Sequence, residues 1–323
     1  LAVKKINALL LATSLLIGTL PDPAAAGGHS DALAAAIASR GPAQKARDAA
    51  RHPEETLEFF RVEPGMTVAE VLPGKGWYSR ILAVYLGPHA ALYGVNYSDN
   101  TWYLFDRDEK WIEQRIASTD KYIERVHGYV DNAVAVSDVE LGNMSKETAT
   151  AVDRTRAAAP GLLDDLDTDI EVRSFTFNTV PVDVAGTVDR VLFIRALHHL
   201  YRLEARSGAL SQALVAVRGM LKEDGLVGVV QHRLDESAPE EGADGSRGYL
   251  KQSAVIRAFE QVGFELVAES EINANPKDKP GPSDTVWRLP PTLMTSKDDP
   301  ELRAEMEAVG ESNRMTLLFR TRP

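Results

Sequence analysis

Short apolar runs alternate with amphipathic stretches along most of the chain. Thr67–Val71 is a β-branched run between the turn residues Glu63-Pro64-Gly65 and Pro73-Gly74-Lys75-Gly76, and it predicts a buried strand. From Trp77 the spacing changes. Trp77, Tyr78, Ile81, Leu82, Tyr85 and Leu86 recur at helical period and predict a helix that Gly87-Pro88 ends. Further strands are predicted at Ala91–Val95, Ile170–Phe177, Val188–Ile194, Leu226–Val230, Phe264–Ile272 and Met315–Arg320. Helical patterns lie at Asp31–Ala38, Ala43–Arg51, Pro53–Phe60, Gly208–Leu221, Lys251–Val262 and Asp299–Val309. Lys222–Gly225 reads as a helix C-cap turn. Asp235–Gly248 reads as a flexible acidic segment, and the five prolines of Asn273–Pro291 as a loop.

One long stretch interrupts this alternation. Residues 98–169 are expected to form a helical insertion, with Trp102–Ile123 and Lys146–Ala158 as its helices, either a lid over a pocket or a packing elaboration. The predicted fold class is α/β: a doubly wound, mostly parallel sheet with one antiparallel strand near the C-terminus.

The N-terminus has a different pattern. Lys4 and Lys5 precede Ile6–Leu20, which is apolar apart from Asn7, Thr13, Ser14 and Thr19; Pro21, Pro23 and Ala24-Ala25-Ala26 follow. A basic start, an apolar run shorter than the roughly 20 residues of a membrane span, and small residues before Gly27 predict a cleaved signal peptide, residues 1–26. Residues 27–323 are then one exported domain, periplasmic or extracellular, with no stable membrane insertion after cleavage. The net charge is −11 and there is no cysteine. An acidic chain without basic runs excludes nucleic acid as an expected partner. Disulfides and thiolate metal sites are excluded outright.

Candidate chemistry lies at the strand ends. A strand, a glycine turn and a helix together suit a nucleotide-like cofactor, because glycine lets backbone approach the ligand and the helix start offers free N–H groups. Tight strand–helix turns also use glycine for structure alone. Glu70 lies four residues before Gly74, with Lys75 and Gly76 following. Arg47, Asp48, Arg51 and Glu54 precede this unit and either cap its pocket or form a solvated helix face. Ligands of open sheets bind at the carboxyl ends of the strands. That rule selects Asn96 and Tyr97 after the second strand, Arg195, His198 and His199 after the fourth, and His232 and Arg233 after the fifth. Histidine suits proton removal near neutral pH, so His232 and His198, with Arg233, are the candidate catalytic residues. The histidines show no spaced metal-binding pair, and no metal site is predicted.

Several of these pieces together resemble the class I S-adenosylmethionine-dependent methyltransferases. Val68–Gly76 is similar to that family's acid-x-Gly-x-Gly-x-Gly loop, with Leu72 in place of the first glycine and Pro73 after it. Ala91–Asn96 is similar to its ribose-binding strand, with Asn96 in place of the usual acid. Val188–Leu200 and Leu221–Val230 resemble its fourth and fifth strand regions, and the last two strands its reversed hairpin. The Glu-Val-x-Pro-Gly-x-Gly-Trp-Tyr loop, with the signal peptide, resembles an exported group of predicted methyltransferases. The resemblance implies S-adenosylmethionine as cofactor, held by Glu70, Gly74, Lys75, Gly76, Asn96, Tyr97 and Arg195, and methyl transfer to a small-molecule acceptor. A nicotinamide-dependent oxidoreductase and a non-catalytic exported ligand-binding protein are the alternatives.

Overall fold

The structure, a computed structural model, describes residues 23–130 and 170–322. The predicted helix Lys146–Ala158 and the apolar run Ile6–Leu20 lie outside the described residues. The sheet has the order β3-β2-β1-β4-β5-β8-β7. Its strands are β1 (Thr67–Val71), β2 (Ala91–Asn96), β3 (Glu171–Thr176), β4 (Val188–Ile194), β5 (Leu221–Leu234), β7 (Phe264–Ser270) and β8 (Arg314–Thr321). A two-residue strand, β6 (Leu250–Lys251), pairs with the end of β5. β1 to β5 pair parallel, whereas β8 runs antiparallel to both β5 and β7. The expected α/β class and its one reversed strand are therefore present.

Strand alternation divides the core between two faces. Ala69 and Val71 of β1 join Tyr93 and Val95 of β2 on one face, whereas Val68 and Leu92 lie on the other. Helices α1 (Pro23–Ala38), α4 (Pro53–Phe59) and α5 (Ser79–Tyr85) belong to the Val68 side, through Leu33, Leu57 and Ile81. Two short helices, α2 (Pro42–Lys45) and α3 (Asp48–Arg51), lead into α4. Glu70 takes the parity of Val68 and so points to the side of α5, where it accepts a hydrogen bond from Ser79 Oγ.

Three segments differ from their expected form. Trp102–Ile123 is not one helix. α6 (Asp99–Trp102) ends in a tight turn at Asp106, φ 51°. Asp108 then caps α7 (Glu109–Asp120) by accepting from the backbone N–H of Trp111 at 2.8 Å. A further helical stretch, α8, runs over 122–130. The segment after β4 is also a helix, α9 (Leu197–Ser207), which ends at Gly208 in the left-handed conformation, φ 66°. Glycine takes that conformation without steric cost. α10 (Ala209–Met220) follows directly. Lys222–Gly225 is not a cap turn: β5 begins at Leu221, and its pairing with β4 shifts register between Val188 and Arg190.

Candidate functional site

The loop after β1 uses left-handed backbone at alternate residues. Leu72, Gly74 and Gly76 have φ of 49°, 58° and 70°. Leu72 thus keeps the conformation normally left to glycine. The loop is tied down at 2.8 Å from the Leu72 N–H to the Val95 carbonyl, and at 2.9 Å from the Gly76 N–H to the Pro73 carbonyl. α8 braces it from behind. Tyr129 Oη donates to the Lys75 carbonyl at 3.0 Å, and Arg125 Nη2 to the Gly74 carbonyl at 3.4 Å. A Cβ on Gly76 would come within 2.7 Å of the Tyr129 hydroxyl, so a larger residue there would have to displace the Tyr129 side chain. Behind the loop Glu70 is buried, and burial raises its carboxyl pKa to about 7 against the help of Ser79.

In front of the loop lies a cavity of about 500 Å³. Leu72 to Lys75 form one wall, and Arg195, His198, His199 and His232 another. A strap containing Trp287 and Pro290 closes a third side, with Glu311 and Ser312 from the turn before β8. Arg195, at the end of β4, is itself left-handed, φ 58°; its N–H donates to the Val230 carbonyl at 2.6 Å.

The three histidines are neighbours. The rings of His198 and His199 are 3.9 Å apart, and those of His198 and His232 5.4 Å. The network fixes the His198 tautomer. Gln231 Nε2 donates to the Gly248 carbonyl at 2.8 Å and the His232 carbonyl at 3.3 Å, so Gln231 Oε1 is an acceptor. It faces His198 Nδ1 at 3.2 Å, which must then carry the proton. The other nitrogen, Nε2, is a bare lone pair with no partner among the described residues. Burial, then His199 and His232, holds the His198 pKa well below its ordinary value. His232 is depressed in the same way, by burial and then by Arg195 and Arg314, and its Nδ1 lies 2.5 Å from Ser312 Oγ. His199 falls to about 4 through burial and Arg202.

Around Glu311 the charges do not balance. Arg51 Nε donates to both its carboxylate oxygens, at 3.0 and 3.1 Å. Arg314 Nη1 lies at 3.3 Å and Arg195 Nη1 at 3.8 Å from the same group. The Arg51 guanidinium also stacks 4.7 Å from the Trp77 ring centre. Burial and the neighbouring Arg195 lower the Arg51 pKa to about 10, and burial lowers Arg195 and Arg314 as well.

The structure brings Gly74, Lys75, Arg195, His198 and His232 into one cavity. Glu70 stands behind the loop, and Gly76, at the loop's end, is not among the residues that line the cavity. Asn96 and Tyr97 are buried at the end of β2, and neither Asn96 Nδ2 nor Tyr97 Oη has a partner among the described residues. Arg233 is elsewhere. It follows His232 on a strand and so points to the opposite side. It forks onto Glu271 at 2.7 and 2.5 Å and lines a larger cleft of about 790 Å³ that shares no wall with the glycine loop. Trp102 is likewise apart, packed edge-on to Tyr97 at 4.7 Å. Arg51 is the buried member of the Arg47–Glu54 group. Trp287, Glu311 and Ser312 carry no local sequence signal: the return of β8 beside β5 brings Glu311 and Ser312 there, and the Val286 N–H, bonded to the Arg247 carbonyl at 2.9 Å, ties down the segment that carries Trp287. Among the described residues no group of three His, Asp or Glu side chains, the three neighbouring histidines included, is arranged so that it could hold a metal ion.

No family model and no curated protein matches the chain. Solved structures match at low identity. A SAM-dependent methyltransferase from Aquifex aeolicus is 15% identical, over 75% of this chain and 93% of that one, with a TM-score of 0.40. The [4+2]-cyclase SpnF is 14% identical, over 95% and 98%, with a TM-score of 0.43. The geranyl diphosphate C-methyltransferase of Streptomyces coelicolor A3(2), crystallised with S-adenosyl-L-homocysteine, is 12% identical, over 84% and 78%, with a TM-score of 0.43. Identities of this size leave the function to be read from this chain's own residues.

Proposed function

We propose that the protein binds S-adenosylmethionine at the Glu70–Gly76 loop and transfers its methyl group to a small-molecule acceptor. The observation that carries this reading is the left-handed 72–74–76 loop at the end of β1, in a sheet closed by the reversed strand β8. A nicotinamide-binding sheet has the order 3-2-1-4-5-6 with no reversed strand inserted beside β5. Here β8 separates β5 from β7.

The residues present fit the cofactor in two respects. The backbone of Leu72–Lys75 lines the cavity, and a Cβ on Gly74 would meet only the Leu72 carbonyl, at 3.9 Å, so the loop surface is open to a ligand. Asn96, at the end of β2, is not among the residues that line the cavity, but its Nδ2 is a buried donor with no partner among the described residues, which a ribose hydroxyl reaching it would satisfy. Bound there, S-adenosylmethionine supplies an electrophilic methyl group on a sulfonium. The chain's own part is to orient the acceptor, exclude water and take up a proton. His198 fits the proton-accepting role, because the residue lines the cavity and its buried Nε2 is unprotonated, with no partner among the described residues. Gln231 holds that tautomer, and Ser312 holds the ring of His232 beside it.

The test is calorimetric titration of S-adenosylmethionine and S-adenosylhomocysteine. Gly74 is a poor site for a blocking variant, because at φ 58° a β-branched residue strains the backbone whether or not a ligand binds. Asn96→Leu is better, since it removes a donor that has no partner among the described residues. It is expected to weaken both ligands about tenfold and to leave the melting temperature unchanged. No heat from either ligand with wild-type protein would leave the fold without this function, and a ligand-binding protein would be the reading that remains.

A further inference from the structure

We propose that the acceptor carries an anionic group, a carboxylate or a phosphate, and that Arg51 and Arg195 receive it inside the cavity. The identification of the ligand as an acceptor rests on the methyl-transfer reading; the anion site does not.

Charge is the first ground. Arg47, Arg51, Lys75, Arg80 and Arg195 line the cavity, and among its described lining residues Glu311 is the one acid. This sits in a chain of net charge −11. An acidic protein has gathered cations around one concave surface, where low-dielectric walls strengthen the field. The sulfonium of the cofactor does not call for it, because S-adenosylmethionine is itself cationic in its reacting part.

Unused donors are the second ground. Arg51 is 2% exposed, yet its Nη1 has no partner among the described residues. Arg195 Nε is also buried, with no partner among the described residues. Glu311 already accepts both bonds from Arg51 Nε and shares itself with Arg195 and Arg314. Buried guanidinium donors left over in this way are costly unless an acceptor reaches them. A ligand carboxylate or phosphate between Arg51 and Arg195 meets that need with a charge-assisted fork.

The walls describe the rest of the ligand. Trp77, Trp287, Pro290 and Pro291 offer flat or apolar surface near the arginines. An aromatic or otherwise apolar body with one acidic group matches them, and a neutral sugar does not.

Binding to the full chain separates the possibilities. Benzoate, phenyl phosphate and the neutral benzamide are titrated by calorimetry without cofactor. At least one anion is expected to bind about tenfold tighter or more than benzamide; which one is tighter distinguishes a carboxylate from a phosphate ligand. Raising the salt should weaken the anions and spare benzamide. Arg195→Gln, at a side chain 24% exposed, should cost the anion about tenfold with benzamide and the melting temperature unchanged. Arg51→Lys, which keeps the charge but not the fork, should show the same loss. Equal binding of benzoate, phenyl phosphate and benzamide, or anion binding indifferent to both substitutions, overturns the proposal. S-adenosylhomocysteine is titrated in parallel. If benzoate displaces it and Arg195→Gln weakens both alike, the arginines serve the cofactor's own carboxylate and the proposal fails. Anion binding that persists where S-adenosylhomocysteine does not bind supports the anion site and removes the methyl-transfer reading alone.

Discussion

Glu70 shows how one side chain serves the loop at a cost. It is the acid of the loop pattern, but it faces α5 and is satisfied by Ser79. Burial raises its pKa from 4.5 to about 7. The folded state therefore holds this proton more tightly than the unfolded chain does. Stability from this group is fully present below the unfolded value, declines as pH rises from about 4.5 to about 7, and is flat above that. Glu70→Gln keeps an acceptor for Ser79 and removes the titration. We expect the variant to gain stability over wild type as pH rises from 5 to 8, by up to ~3 kcal/mol, read by thermal melts across that range. A difference constant with pH would mean that Glu70 titrates normally. His198 gives a second expectation. Its depressed pKa leaves Nε2 unprotonated through the mildly acidic range. Turnover should then show no loss near the ordinary histidine pKa of about 6.5, and His198→Asn, which cannot take the proton, should lower turnover about a hundredfold with cofactor binding unchanged. A drop in activity centred at the ordinary value would exclude His198 as the base.

Among the elements, α8 decides how the loop is held. Gly94 of β2 makes room for it: a Cβ on Gly94 would lie 2.7 Å from the Tyr122 ring. Gly94→Ala should destabilise the fold by about 1–3 kcal/mol through overpacking. Tyr122→Leu in the same chain should recover part of that loss, and denaturant melts of the two singles and the double measure the coupling. Additive losses would mean the two residues do not touch. This contact was invisible in the sequence, where Trp102–Ile123 leaves a lid and a packing elaboration both open. Of the described insertion, Arg125 and Tyr129 brace the loop and Tyr122 packs against Gly94. The strands were legible because each carried its own signal: β1 and β4 are bounded by turns and filled with β-branched residues. α9 was not, because its two histidines hide an apolar stripe of Leu197, Leu200 and Leu203 that becomes plain only when it packs. For the site, Gly74, Lys75, Arg195, His198 and His232 follow from the rule that ligands meet strand ends. Arg233 shows its limit, since alternate residues of a strand end face opposite sides. Glu311 and Trp287 depend on chain return, which no local pattern encodes.

For the whole chain, we propose export, with a mature N-terminus at or near Gly27, as Lys4-Lys5, the apolar run to Leu20 and Ala24-Ala25-Ala26 suggest. Among the described residues no helix is long and apolar enough to cross a membrane. The fold is compatible with such a cut. α1 begins at Pro23, and among its described side chains Ala32, Leu33 and Ala36 anchor it, at most 3% exposed in the core shared with α4 and α5. Cleavage after Ala26 removes none of them. Protein starting at Gly27 should melt at the temperature of the longer chain, whereas removal through Ala38 should strip Leu33 from its pocket and cost about 2–5 kcal/mol. Mass spectrometry of protein from separated cell fractions tests the export itself. A chain that retains residues 1–26 in the cytoplasmic fraction would overturn it, and would also place the cationic cavity where S-adenosylmethionine is made.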